Sequence, residues 1–423
     1  MQAVVGVSCP DCGAVVAVDV GWVSWCDRCG WNAVTPQPTT IPSSAFARLL
    51  DLAGASLGER LAQELKERDS LEPRPTAAKI AAFSIAAMIE LLAIGVVGAA
   101  FLLAALTFPN VFALVLAVAM LGFAWLIRPR LGKAPTRGLV SRSEAPELYG
   151  LLDQVANALT TGPPDLVVID EEVNASWSMV GIRRQRVLRL GLPLLAVLTP
   201  QQRVALVAHE LAHGRNGDVR RSMIVTSALN TLSELYRSLL PGASLLTFSS
   251  FGILDYLGRG LMWLAAQPIK WLLLLELHLL LRDMQRAEYL ADALAAEVAG
   301  TEATTELHER LLLNSVIELT IQHAARDHLD PEQLFEAIHN DLAAVPERER
   351  QRRLRAAALE QTKLDDTHPP TAMRIELLQH RPPRTPNVLL DDESSHTIDL
   401  ELAPQRTPIG RRLIDQHRAS LYR

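Results

Sequence analysis

Two histidines four residues apart, with a glutamate directly after the first, form the segment His209-Glu210-Leu211-Ala212-His213. On a helix such a pair shares one face, so both imidazoles can reach a single ion. Zinc suits these nitrogen donors, lowers the pKa of a water it holds to about 7, and leaves a nearby carboxylate to take the proton. The pattern therefore casts His209 and His213 as metal ligands and Glu210 as the general base of a hydrolase. With eleven histidines in the chain, chance produces this spacing too often for it to decide alone. A helix with two surface histidines is the plain alternative.

A catalytic zinc needs a third protein ligand and an open fourth position. Glu288 is the candidate, in the helical pattern QRAEYLADALAAEVAG, where Asp292 falls four residues later on the same face. An acid at that place can accept the free imidazole N–H of a ligand and fix its tautomer. By analogy with other glutamate-ligated zinc peptidases, that imidazole is His209. His368, followed by Pro369 and Pro370, is a candidate donor to the oxyanion of a tetrahedral intermediate. The competing reading makes it a turn residue, with Arg374 pairing a nearby acid. His278, His308, His323, His328 and His339 have no ligand spacing to the main motif and read as ordinary helix residues.

A second metal pattern stands at the start of the chain. Cys9 and Cys12 form one CxxC knuckle, Cys26 and Cys29 another, with thirteen residues between them. That spacing predicts four thiolates around one structural zinc in a ribbon over residues 1–34, the alternative being two disulfides or free thiols. Asp11, Asp19 and Asp27 stand against Arg28 alone, which favours a protein partner or a purely structural role for the ribbon. The whole chain carries a net charge of -6, which argues against nucleic acid as a partner.

Several elements must position these groups. Thr199 and Pro200 are the N-cap and first residue of the helix bearing His209 and His213, and Gly214 and Gly217 end it, with Asp218 beside that turn. Residues 143–158 read as an amphipathic helix, Asp165 to Asp170 as a strand, and Val187 to Leu190 as its partner. From Ile80 to Leu106 twenty-seven residues carry one charge, Glu90, and Val111 to Ile127 are apolar again. About 20 apolar residues cross a bilayer, so residues 79–128 are expected to form a transmembrane hairpin. Lys66, Arg68, Arg74 and Lys79 precede it and Arg128, Arg130, Lys133 and Arg137 follow it, while the turn has no basic residue. Both ends are thereby expected in the cytoplasm. The N-terminus lacks a basic stretch followed by an apolar core, so no cleavable signal peptide is expected.

Residues 35–78 read as a Pro-, Thr- and Ser-rich linker and a short amphipathic helix. Because His213 and Glu288 must share one ion, the chain between them crosses the membrane either twice or not at all. Its apolar stretches within 243–282 favour membrane association. The basic run from Arg348 to Arg355 reads as a solvated helix face near lipid phosphates, and residues 381–423 as a flexible polar tail. A composition of 49% hydrophobic and 21% charged residues over 423 suits membrane and globular parts in one chain.

Three motifs carry a resemblance to a family: HELAHGRNGD, EYLAD, and THPPTAMRIELL from Thr367 to Leu378. Over residues 140–380 the chain resembles the HtpX-like and CAAX-prenyl-endopeptidase-like integral membrane zinc metallopeptidases. The resemblance implies a mainly α fold with a small β-sheet, an α+β gluzincin-like catalytic domain, beside transmembrane helices and the added zinc ribbon. A fourth likeness, Asn174-Ala175 in EEVNASWSMVG, implies an edge strand beside substrate. Ser176 and Trp177 depart from the aromatic and small residues usual there, and RDMQRA before Glu288 lacks the usual Ser-Arg pair. The family implies endoproteolysis of misfolded or regulatory membrane proteins at the cytoplasmic face of a bacterial inner membrane. Protein or peptide substrates and membrane lipids are then the partners, and zinc the cofactor, once catalytic and once structural. The rival readings are a catalytically silent membrane scaffold and a processing peptidase for lipidated C-termini.

Overall fold

The structure, a computed structural model, describes residues 5–19, 21–34, 58, 60–67, 77–128, 131–215, 219–240, 252–359 and 368–421. Most of the expected linker lies outside these residues, as do Arg68, Arg74, Arg130, Gly217, Asp218 and Thr367. Within the expected amphipathic helix, residues 60–66 are helical, and Leu61 and Leu65 enter the main core.

The described residues are mainly helical, with two small sheets. In the ribbon, β1 (Val5–Ser8) pairs antiparallel with β2 (Val15–Val18). Then α1 (Ala77–Thr107) and α2 (Val111–Leu126) form the apolar hairpin. Asn110 ends the turn between them, its Oδ1 accepting from the backbone N–H groups of Phe112 and Ala113. Large apolar side chains such as Leu91, Phe101 and Val118 face outwards, as suits lipid and not water.

Next come β3 (Leu139–Val140), α3 (Pro146–Ala158), β4 (Leu166–Asp170), β5 (Ala175–Val180) and β6 (Gln185–Gly191). The sheet order is β3-β4-β6-β5. β4 and β6 run parallel with Leu166 opposite Val187, while β5 and β6 run antiparallel with Ala175 opposite Leu190. β5 is therefore an edge. At the end of β6 a Cβ on Gly191 would fall on the Glu172 carbonyl oxygen, so only glycine lets the chain pass there into α4 (Leu192–Leu195) and α5 (Pro200–Arg215).

α5 is the spine of the main core: Val204, Ala205, Val207, Ala208, Leu211 and Ala212 are all buried. α6 (Val219–Leu239) leads away from it, and α7 (Gly252–Ala299) returns as one 48-residue helix. Ala86 and Ile89 of α1, Val225, Ala228 and Leu232 of α6, and Leu272, Leu273 and Leu280 of α7 build a second apolar cluster. Among the described residues, Ala77–Thr107 and Tyr256–Ala299 are the helices long and apolar enough to cross a membrane. The apolar stretch lies in the first part of α7, whereas Tyr289, Leu290, Ala291, Leu294 and Ala295 belong to the main core.

The remaining helices are α8 (Thr301–Leu311), α9 (Asn314–Arg326), α10 (Leu334–Ala343), α11 (Glu347–Leu359), α12 (Thr371–His380) and α13 (Asp392–Leu421). The last corrects the expectation of a flexible tail over 381–423. Ile398, Leu402, Ile409 and Leu413 recur at helical intervals and are buried in the main core, a stripe that Pro404, Pro408 and many charges obscure in the sequence. Asp399 pairs with the buried Arg203 at 2.9 Å, and the Glu401 carboxylate accepts from the N–H groups of Glu147 and Leu148 at the start of α3.

A second correction concerns the basic run on α11, which is not simply a solvated face. Glu349 and Arg352 are buried, joined by bonds of 2.6 and 2.7 Å. Arg352 also donates to the Ala33 carbonyl at 2.7 Å, Trp25 Nε1 donates to the Arg348 carbonyl at 3.1 Å, and the Arg348 guanidinium donates back to the Trp25 carbonyl. The ribbon thus docks on the chain's own α11.

Candidate metal centre

α5 begins with a reciprocal cap: Thr199 Oγ1 accepts from Gln202 N, and Gln202 Oε1 accepts from Thr199 N. Two turns further in, His209 and His213 present their Nε2 atoms 3.3 Å apart, with the rings at 88° to each other. α7 delivers Glu288 between them, Oε2 lying 3.6 Å from His209 Nε2 and Oε1 3.5 Å from His213 Nε2. Bonds of about 2.0–2.1 Å to a tetrahedral zinc put its ligand atoms about 3.3–3.4 Å apart. The three donors sit close to that spacing and are the nitrogen and oxygen types zinc takes, so the residues fit the ion. Glu210, next to His209, is buried.

Asp292 binds the outer side of this cluster. Its Oδ1 accepts from His209 Nδ1 at 3.0 Å, from Arg374 Nη2 at 2.7 Å and from His308 Nε2 at 3.0 Å, and its Oδ2 accepts from Arg374 Nε at 2.7 Å. Arg374 Nη2 also lies 3.5 Å from Glu288 Oε2. The hydrogen bond to Asp292 makes Nδ1 the protonated nitrogen of His209 and turns the Nε2 lone pair towards the cluster. His368, with a side chain 57% exposed, points Nδ1 at Glu288 Oε2, 2.7 Å away. It thus stands at the rim of the cluster, bonded to a carboxylate.

Electrostatics follow from burial and pairing. Burial opposes charge on His209, but hydrogen bonds to Asp292 and Glu288 override it and lift the imidazole to about 10. Burial and the neighbouring His209 cation depress His213 to about 4. Glu288 and Asp292 are held well below the usual carboxylate range: burial works against this, and the surrounding histidines and Arg374 prevail. Burial pushes the Glu210 carboxyl up, only partly countered by His209.

At the ribbon, Cys9 Sγ lies 3.6 Å from Cys29 Sγ, and Cys12 Sγ lies 3.6 Å from Cys26 Sγ. Disulfide sulfurs stand about 2.05 Å apart, so the thiols are free. Zinc–sulfur bonds of about 2.3 Å set thiolates about 3.8 Å apart around one ion, and the four sulfurs fit that arrangement.

Asn174 precedes the edge strand, its carbonyl accepting from Gly191 N at 2.9 Å, and Ala175 opens β5 opposite Leu190. Trp177, further along β5, lies against Gly214 near the end of α5, so the edge strand borders the metal helix. The sequence reads His308 as an ordinary helix residue, because its approach to Asp292 depends on how α8 packs on α7 and has no local signal. It placed Arg374 against an acid without identifying Asp292.

Comparisons with known proteins place the chain in a family. The family model described as "Peptidase family M48" matches residues 143–382. A protein named "Protease HtpX homolog" from Polynucleobacter necessarius subsp. necessarius is 26% identical over 271 residues, covering 63% of this chain and 85% of the relative. Relatives of the same name from Thermodesulfovibrio yellowstonii and Salinibacter ruber are each 26% identical, over 125 and 98 residues. Those matches span 29% and 23% of this chain, and 44% and 36% of the relatives. No solved structure matches.

Proposed function

We propose, from the premise that this chain belongs to peptidase family M48, that it is a membrane-bound zinc metallopeptidase that cleaves proteins at the cytoplasmic face of a bacterial membrane, in membrane-protein quality control. The observation that carries the reading is the convergence of His209, His213 and Glu288 at zinc-ligand spacing beside the buried Glu210. When bound, zinc acidifies a water and polarises the scissile carbonyl. Glu210 is the residue whose carboxylate would accept a proton from the attacking water and pass it to the leaving amine. A structural site would not need this base.

The surrounding residues orient and select. Asp292 and Arg374 hold His209 with Nε2 directed at the cluster. His368 steadies Glu288 through Nδ1 and, swung from the rim, donates to the developing oxyanion. An extended substrate adds to the free edge of β5 beginning at Asn174 and Ala175, since an unpaired strand edge recognises any peptide backbone. The α1–α2 hairpin and the first part of α7 anchor the catalytic unit to lipid, with α6 and α7 together making an even number of crossings. The ribbon holds a structural zinc.

Membranes carrying wild type and Glu210→Gln, compared by fragment proteomics, test the reading. Fragments are expected only with wild type, while Glu210→Gln retains its zinc and loses about 10²–10⁴-fold in rate. Equal cleavage by the two would remove Glu210 from the reaction.

A further inference from the structure

Neither the H-E-x-x-H motif nor the EYLAD segment includes His308. It lies on α8, follows Gly300 in the left-handed region at φ 91°, and is returned by that turn over the helix that carries Glu288 and Asp292. Its side chain is 2% exposed, and Nε2 meets Asp292 Oδ1 at 3.0 Å. Nδ1 has no hydrogen-bond partner among the described residues. A carboxylate oxygen only accepts, so Nε2 carries the proton and the ring's one polar contact is a donated bond to Asp292.

Burying an imidazole with one nitrogen unsatisfied is costly, and a leucine would fill the same space without that cost. Packing alone therefore does not account for the residue. Arg374 grips both oxygens of Asp292 from α12, and His308 binds Oδ1 from α8. The carboxylate is thus clamped from two helices while Oδ1 also receives His209 Nδ1–H.

We infer that His308 is a positioning residue: it locks the Asp292 carboxylate in the orientation that holds the His209 imidazole for zinc. The inference deepens the proposed function and rests on the metal assignment made there. His308 itself touches neither metal nor substrate and acts only through Asp292.

The full-length chain in detergent provides the test, with His308→Leu removing the donor while filling the volume and His308→Gln restoring an N–H near Nε2. Cobalt(II) titration reads the two metal sites separately, because thiolate ligation at the ribbon gives intense charge-transfer absorption that nitrogen and oxygen ligands lack. His308→Leu is expected to weaken the His209-His213-Glu288 site by about 10–100-fold, the usual effect of losing an outer-shell partner, with ribbon binding unchanged. His308→Gln should recover most of the affinity. Peptide hydrolysis by His308→Leu should fall at limiting zinc and return at saturating zinc, with KM unchanged. Unaltered cobalt affinity in His308→Leu, or equal weakening in the Leu and Gln variants, overturns the inference. Should His308→Leu not fold, His308→Ala against His308→Gln makes the same comparison. Metal affinity decides the matter even where no variant, wild type included, cleaves peptide; that second result would count against the proposed reaction alone.

Discussion

Replacing Asp292 with asparagine tests the organisation of the centre with little change of shape. The native carboxylate has a side-chain exposure of 3% and accepts four hydrogen bonds, two of them from Arg374, whose own side chain is 8% exposed. Asp292→Asn removes the charge and turns an amide N–H₂ towards some of those donors. Arg374 is then left buried with Glu288 Oε2 at 3.5 Å as its nearest remaining acid. Removing one partner of a buried ion pair costs about 3–5 kcal/mol. For a catalytic unit of this size each kcal/mol lowers Tm by roughly 2–4 °C, so a fall of about 6–20 °C is expected. The assay is thermal unfolding of the detergent-solubilised protein with chelator present, because bound zinc would add its own stabilisation. In the double variant Asp292→Asn/Arg374→Met the buried cation is gone too, and part of the lost stability should return. A Tm for Asp292→Asn within about 2 °C of wild type would refute the argument, since a pair of this burial cannot be broken so cheaply.

Other perturbations probe the rest of the molecule. Cys12→Ser/Cys29→Ser should lower the zinc content from two ions per chain to one and expose Trp25, read by metal analysis and by a red shift of tryptophan emission. Deleting residues 383–423 should leave a chain that aggregates or unfolds by circular dichroism, because Ile409, fully buried, and its neighbours on α13 complete the main core. Ile409→Ala alone should cost about 2–5 kcal/mol in denaturant unfolding.

What the amino-acid order determines by itself is chemistry carried at short range. His209 and His213 share a face because four residues make about one helical turn, and Glu288 and Asp292 do so for the same reason. Cys9, Cys12, Cys26 and Cys29 have knuckle spacing, and the apolar run from Ile80 has membrane length. Each of these is legible because one element supplies the whole pattern. Tertiary structure decides what lies between elements. Arg374 reaches Asp292 across 82 positions, and Arg352 reaches Ala33 across 319. His308 meets Asp292 only because Gly300 turns α8 back over α7. The C-terminal stripe on α13 looked like solvated tail because charges and prolines outnumber its apolar residues, and only burial against the main core separates it from disorder. Local spacing is set by backbone geometry, which every helix shares. Pairing between distant helices is set by packing, which no single stretch of the chain contains.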